Sequence, residues 1–461
     1  MDAVLENLRD KMPMATALHQ TLAYIFNPQT LDAIYDENRG RCYNREITFD
    51  NFVKLTAEAL LQHGGSANRI YTLAQQNDRE MPASAKSFYS KLKNMPIEVS
   101  RAMLRQCTRE LTGLAAQPAA TLPACFDAFE PVIIDGKTIK NVAKRLLNTR
   151  AFAGKLLGAK ALVALQLSTG MAVAMSDSLD GEANDIPLVP ELLPQVRQMI
   201  DKPILWLADR QFVDRHTFDL MLFRPGDAFA VRLRKGLVFT RDPDVQVIET
   251  TDSEQRRIID ETGTLFTGKS AMRVRLVTLE RVDDDDVVVA TNLLDRAQYP
   301  AAEMVGLYRK RWCIEEVFQK VTQTFSLSHL IGCKPKAVLF QFSMCLLMYN
   351  LIQLLRGYMG AQGAVATGDV STFEIFHTAK RQLVTWHTLE VSTDRESLEV
   401  PRGLASMRQT LKRIFQGLWH ETYLSKKDKK PRKKRQRTKV RKGGGDTSVQ
   451  RLLDAAVGSS P

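Results

Sequence analysis

The chain reads as an α/β protein: helices first, then a sheet whose strands alternate with helices and which carries a strand-rich insertion. Three observations predict this. Apolar residues recur at helical spacing through residues 1 to about 125. After Pro123 and Pro131, short β-branched runs appear, two of them ending in an aspartate. From about Ala228 to Val282, strand follows strand with Asp and Gly turns between. Composition supports a packed body, at 44% hydrophobic and 25% charged residues. At about 150 residues per domain, the length allows two to four domains.

The helical part is read from Phe52, Leu55 and Leu60, then Ile70 and Leu73. Gly64-Gly65 breaks the first run, and Ser66 is a natural N-cap for the next. A third helix is expected from Ser84 through Phe88, Tyr89 and Leu92 to Asn94, with Pro96 beyond. Short helices joined by tight turns suit a helix-turn-helix reader, with Lys86, Tyr89, Lys91 and Lys93 as its exposed candidates.

In the sheet region, Val132-Ile133-Ile134 is a strand ending in Asp135-Gly136, a pair that also suits a hairpin turn. Ala161–Leu167 and Met171–Met175 flank Ser168-Thr169-Gly170 and predict a hairpin. A helix is expected from Pro187 to Ile200. A buried-type strand, Ile204–Ala208, then ends in Asp209, which could also cap the next helix. Phe229–Leu233 and Arg273–Val277 alternate in period two, and Val287–Ala290 is fully apolar. The four aspartates 283–286 read as a solvated turn. A long helix is expected from about Ala301, after Pro300, towards Phe325. Ala337 to Leu355 carries no charge, but Gln341, Ser343, Asn350 and Gln353 interrupt it, so a buried helix fits better than a membrane span. After Gly360 to Gly368, helices are expected to about Leu424.

Charge and cysteines exclude several classes. The 64 Lys and Arg exceed the 52 Asp and Glu by 12. Lys426 to Lys442 alone holds twelve basic residues and one acid; the rest has 52 basic and 51 acidic residues. The body is therefore nearly neutral and the cations are concentrated in a tail, expected to be disordered. The six Cys are scattered, without a CxxC pair. That argues against a zinc module or a disulfide scaffold and suits a reducing cytoplasm. MDAVLENLRDKMP lacks the apolar core of a signal peptide.

The chemistry is sought in three acids. Asp135 and Asp209 each follow an apolar strand, where open α/β sheets assemble sites. Glu315 lies on the long helix, with Tyr308 and Arg311 at i−7 and i−4. Converging carboxylates with few His or Cys suit Mg²⁺ or Mn²⁺, two of which can serve an in-line phosphoryl transfer. Each acid alone has an ordinary structural reading; the joint pattern carries the case.

Val-Ile-Ile-Asp135-Gly-Lys, Leu-Trp-Leu-Ala-Asp209-Arg-Gln-Phe and Tyr308-Arg-Lys-Arg311-Trp-Cys-Ile-Glu315 resemble the three catalytic blocks of DDE transposases, most closely the insertion sequence four family with its Tyr-x2-Arg-x3-Glu-x6-Lys signature. The segment from His329 through Gly332 is also similar, and the resemblance covers about residues 125 to 355. It implies a ribonuclease-H-like fold, with the β-rich insertion between the second Asp and the Glu. It implies catalytic, metal-binding Asp135, Asp209 and Glu315, with two Mg²⁺ or Mn²⁺ ions. It also implies DNA contacts from Tyr308 and Arg311, and from Lys320 if that residue serves for the signature Lys. That Lys falls at Thr322, and no aromatic precedes the last strand. The implied activity is cut-and-paste transposition by an endonuclease: cleavage at terminal inverted repeats, then strand transfer into target DNA, by a homodimer in a synaptic complex. Alternatives are an impaired, DNA-binding descendant and a nuclease without strand transfer. The expected organisation is a helical DNA-binding domain (1–125), a catalytic domain (126–360) with its insertion at about 228–285, a helical region (361–424) and a basic tail (425–461). The expected location is cytoplasmic, on the nucleoid when bound to double-stranded DNA, with no membrane partner.

Overall fold

The computed structural model describes residues 10–42, 46–234, 236–282, 284–325, 327, 329, 331–389, 401–425 and 445–458. Six helices come first: α1 (Pro13–Ile25), α2 (Pro28–Asn38), α3 (Phe49–Leu61), α4 (Ala67–Gln76), α5 (Ala85–Asn94) and α6 (Ile97–Leu114). Their starts are set locally. Asn27 accepts from the Gln29 amide at 2.9 Å, Ser66 from Arg69 at 3.4 Å and Ser84 from Ser87 at 3.2 Å. Gly64 and Gly65 have φ of +60° and +82°, which ends α3.

One mixed sheet of eleven strands follows. The antiparallel strands β1 (Glu130–Lys140), β2 (Leu156–Gln166) and β3 (Met171–Ser178) lie in the order β3-β2-β1. Next to β1, in parallel, come β4 (Ile204–Ala208) and β5 (Ala228–Arg232). The sheet continues antiparallel through β10 (Val287–Thr291), β9 (Met272–Leu279) and β8 (Arg257–Leu265) to β6 (Phe239–Arg241) and β7 (Ile248–Thr251). The expected hairpin around Ser168 and the strand Ile204–Ala208 are both present.

Three local expectations change. Asp135-Gly136 is not a turn, because β1 runs on and pairs Asp135 with Val163 and Gly136 with Leu162. The strand-rich stretch is not a separate β unit. β5 lies in the parallel core, and β10, β9 and β8 extend the same sheet. The helix expected over 301–325 is two helices, α9 (Ala301–Arg309) and α10 (Cys313–Gln323), joined by a 3₁₀ turn at Lys310–Trp312.

Helices cover both faces. On one, α7 (Val189–Arg197) and α8 (Arg215–Met221) pack Leu192, Val196 and Phe218 over Val132, Ile134 and Trp206. On the other lies α11 (Pro335–Gly363), in which every residue from Ala337 to Gly360 is buried. By length and composition α11 could cross a membrane, but here protein surrounds it. Residues of α1 to α6, α12 (Thr372–Leu389) and α13 (Leu404–Phe415) share one core with it. The N-terminal helices therefore share their core with α11 and the sheet.

The basic stretch Lys426–Lys442 lies outside the described residues. The expectation of disorder fails just beyond it. β11 (Thr447–Ser448) adds in parallel to β2, and α14 (Val449–Gly458) comes next. Val449 is fully buried, Arg451 pairs with Asp180 at 2.8 Å, and the Ser448 amide donates to Glu182 at 2.8 Å. Val449, Leu452 and Leu453 form the apolar stripe that makes this segment fold.

Asn350 fastens α11 to the sheet. Its side chain accepts from the Ala172 amide at 2.9 Å and donates to the Ala172 carbonyl at 2.8 Å and Thr108 Oγ1 at 2.9 Å. Asn350→Ala leaves those buried groups unpaired and should lower unfolding free energy by about 2–4 kcal/mol. Urea denaturation measures this; a change within about 0.5 kcal/mol, the range of neutral surface changes, would remove Asn350 from this role.

Candidate active site

The sheet register brings the first two acids together. β1 and β4 are parallel, with Ile134 opposite Ala208, so Asp135 and Asp209 stand next to each other one residue on. Side chains alternate along strands. Ile134 and Ala208 face α7 and α8, which places Asp135 and Asp209 on the opposite face. Asp209 does not cap the 3₁₀ turn after it; Asp214 caps α8 instead, accepting from the Thr217 amide at 2.9 Å.

The third acid approaches over that face. Arg311 is almost fully buried and stands between Asp135, at 3.5 Å, and Glu315, at 3.0 Å. The i,i+4 spacing of Arg311 and Glu315 thus forms a real contact across the 3₁₀ turn. Arg311 Nε is buried without a partner among the described residues. Burial pushes the Asp135 carboxyl up to about 6; the Arg311 guanidinium and the Gly136 amide pull it down, and the charges of Glu315 and Asp209 raise it further. Asp135 thus lies within electrostatic reach of both other acids.

Among the described residues, no three Asp, Glu, His or Cys side chains are gathered tightly enough to hold an ion as they stand. The donor chemistry nonetheless fits a hard divalent cation: oxygen ligands only, mutually repulsive, on a rigid sheet edge. In this arrangement the Arg311 guanidinium supplies the positive charge between two of them.

Tyr308 turns into the protein interior. It is buried, and its hydroxyl donates to the Ala208 carbonyl oxygen at 3.1 Å. It therefore ties α9 to the end of β4, immediately before Asp209. Trp312 is the exposed aromatic of this block, its ring 5.3 Å from the Arg311 guanidinium carbon. Lys320 does not join the carboxylate group: it pairs with Glu316 at 3.6 Å, on another side of α10 from Thr322. Thr322 donates to the Phe318 carbonyl at 2.7 Å.

In the N-terminal region, Lys86 and Lys93 are exposed on α5. Lys91 is not free for a ligand: it donates to the Ile47 carbonyl at 2.9 Å, lies over the Tyr35 ring, and burial lowers its pKa to about 8. Tyr89 donates to Asn68 at 2.7 Å. Lys93, Arg145 and Lys334 line a cleft of about 260 Å³ beside Gly332. In the aspartate run, Arg281 pairs with Asp284 at 3.0 Å and its amide donates to Asp286, a closed surface turn; Asp283 lies outside the described residues.

Two features escaped the sequence reading. Gly136 is required by its surroundings, since a Cβ there would lie 2.1 Å from an Asp185 carboxylate oxygen. Asp185 is buried and pairs with Lys160 at 2.8 Å, behind the sheet from Asp135. Lys137 lies on the same face of β1 as Asp135, its ammonium 5.5 Å from the Phe318 ring centre. Period-two spacing from Asp135 signals Lys137, but only once the turn reading of Asp135-Gly136 is discarded.

Two aspartates side by side on parallel strands lie beneath a helix that carries a glutamate. Residues 129–351 match the family described as the transposase DDE domain. A curated protein of Sinorhizobium fredii (strain NBRC 101917 / NGR234), named "Putative transposase y4zB", is 26% identical over 111 residues, which is 23% of this chain and 30% of that protein. The match thus spans under a third of that relative's length. A cryo-EM structure of a piggyBac transposase synaptic complex with hairpin DNA aligns over 86% of this chain and 85% of its own, at 12% identity and a TM-score of 0.41. The family match and the curated relative support a DDE transposase.

An acid whose pKa is raised by folding holds its proton more tightly in the folded state. Stability therefore falls as pH rises from 3.8 through about 6, and ionised Asp135 opposes folding above that window. In EDTA, Asp135→Asn should stabilise the protein at pH 8, by up to roughly 3 kcal/mol, and the gain should shrink towards pH 4. Thermal melts across pH check this; an equal gain at both ends, or a loss at pH 8, contradicts it.

Proposed function

We propose that the chain is a metal-dependent DNA transposase of the insertion sequence four type, cleaving phosphodiesters at element ends and joining the freed 3′-hydroxyl to target DNA. The observation that carries this reading is the register of β1 and β4, which sets Asp135 beside Asp209 on the face approached by Glu315. The strand order β3-β2-β1-β4-β5, antiparallel then parallel, supports the ribonuclease-H-like assignment.

Asp135, Asp209 and Glu315 are the residues that would hold Mg²⁺ or Mn²⁺. When bound, two such ions activate the attacking oxygen and offset charge on the leaving one. The chain's own groups prepare the site. The rigid sheet fixes the two aspartates. Arg311 orients Glu315, and its unpartnered Nε–H is a donor suited to a phosphate oxygen. Tyr308 holds the end of β4 that carries Asp209. Lys86 and Lys93 on α5 are the proposed contacts to double-stranded DNA outside the site, within a homodimeric complex.

With Mg²⁺, the wild-type protein should nick DNA carrying the element's ends and yield joined products, while Asp209→Ala should lower cleavage by at least about a hundredfold, as loss of a central electrostatic group does. EDTA should abolish cleavage by both. Equal nicking by wild type and Asp209→Ala would sink the assignment of the carboxylates; cleavage without joined products would reduce the activity to that of a nuclease.

A further inference from the structure

We propose that Lys137 is a DNA-phosphate-binding residue of the carboxylate site, presented from the same strand as Asp135. The inference deepens the proposed function and rests on its substrate class. Three observations converge. Lys137 follows Asp135 by two positions on a paired strand, so both side chains leave the same face, about 7 Å apart along β1. Its ammonium lies 5.5 Å from the centre of the Phe318 ring, and Phe318 is three residues beyond Glu315 on α10. The cation is thus beside the first acid on the strand and beside the third on the helix.

The third observation is charge. Among the described residues no carboxylate pairs with Lys137, although it is half-buried. The neighbouring cations are engaged: Arg311 with Asp135 and Glu315, Lys320 with Glu316, and Lys310 with the Thr121 carbonyl at 2.7 Å. A half-desolvated ammonium that forms no ion pair among the described residues favours an anion, and a duplex brought to the acids offers phosphate oxygens there. The aromatic face holds the ammonium without neutralising it.

Position 322 supplies the control. A helical side chain leans over the turn N-terminal to its own Cα. Thr322 does this, its hydroxyl reaching the Phe318 carbonyl. A lysine at 322 would therefore bring an ammonium to the same patch from the helix instead of the strand.

The test uses the full chain, plasmid DNA for Mg²⁺-dependent nicking, and a fluorescein-labelled duplex from that plasmid for binding in EDTA over a range of salt. Lys137→Met keeps the apolar stem over Phe318, and Lys137→Gln is the second variant. Either should weaken binding by about tenfold at low salt and reduce the salt slope by about 0.9, one phosphate contact. Thr322→Lys in either background should restore affinity, slope and nicking. Wild-type affinity and slope in a folded variant would overturn the proposal, as would a loss that Thr322→Lys does not restore. Binding in EDTA involves no chemistry, so failure of the wild type to nick would count against the proposed function and leave this result readable.

Discussion

The fold depends on burying α11. That helix has no polar face, and its twenty-four residues from Ala337 to Gly360 are all enclosed. Burying a helix on every side demands a protein layer all around it, more than one sheet face can provide. The N-terminal helices, α12 and α13 supply that layer, which is why their apolar residues merge into one core with the sheet. The polar residues that interrupt the apolar run act as fasteners. Gln341 accepts from the Ile331 amide at 2.7 Å, Asn350 holds Ala172 in β3, and Arg356 donates to the Val370 carbonyl at 2.8 Å. A buried polar side chain that finds every partner specifies one arrangement. The carboxylate face inherits its rigidity from this arrangement, because α11 packs on β2 and β3, which brace the strand that carries Asp135, and on the helix that carries Glu315.

Local patterns were legible in the sequence wherever one face decided the structure. The strand Ile204–Ala208, the hairpin around Ser168 and the Ser66 and Ser84 caps all follow from nearest neighbours along the chain. Patterns decided by tertiary neighbours were not. Arg275 alternates with apolar residues as an exposed side chain would, yet it is fully buried. A bidentate pair with Asp260, at 2.9 and 2.7 Å, and the Tyr299 carbonyl at 2.6 Å accept its donors. Alternation reports two faces; it does not report that a later segment covers the polar one. The last residues were obscured differently. The basic and Gly-rich composition just before Thr447 hid an amphipathic helix too short to stand without the sheet it packs on.

The site divides in the same way. Arg311 and Glu315 pair by helical spacing, and the spacing survives the 3₁₀ turn Lys310–Trp312 because that turn adds only about 60° of rotation. The neighbourhood of Asp135 and Asp209 could be suspected only from both ending apolar runs; parallel register makes it definite. Sequence cannot tell a tyrosine that meets solvent from one, such as Tyr308, whose hydroxyl ends on a buried carbonyl. Lys137 was hidden by a correct general rule, that Asp-Gly favours turns, which lost here to eleven residues of β pairing.

Charge links these details. Lys426–Lys442 carries +11 of the net +12, and its flanks are anchored: the Ser425 amide donates to the Asp369 carbonyl at 2.7 Å, and Thr447 pairs with β2. Exposed charges act over a Debye length of about 8 Å at physiological salt, so the sign of a whole chain does not set the field at one site. At the sheet edge the balance is local. Three carboxylates repel one another and would repel DNA, burial magnifies that repulsion, and Arg311 offsets only part of it. A site of this kind is incomplete without further positive charge at contact distance. In the proposed reading, divalent ions held by the acids and Lys137 beside them would answer the same deficit from two sides, and neither can be read from the sign of the whole chain.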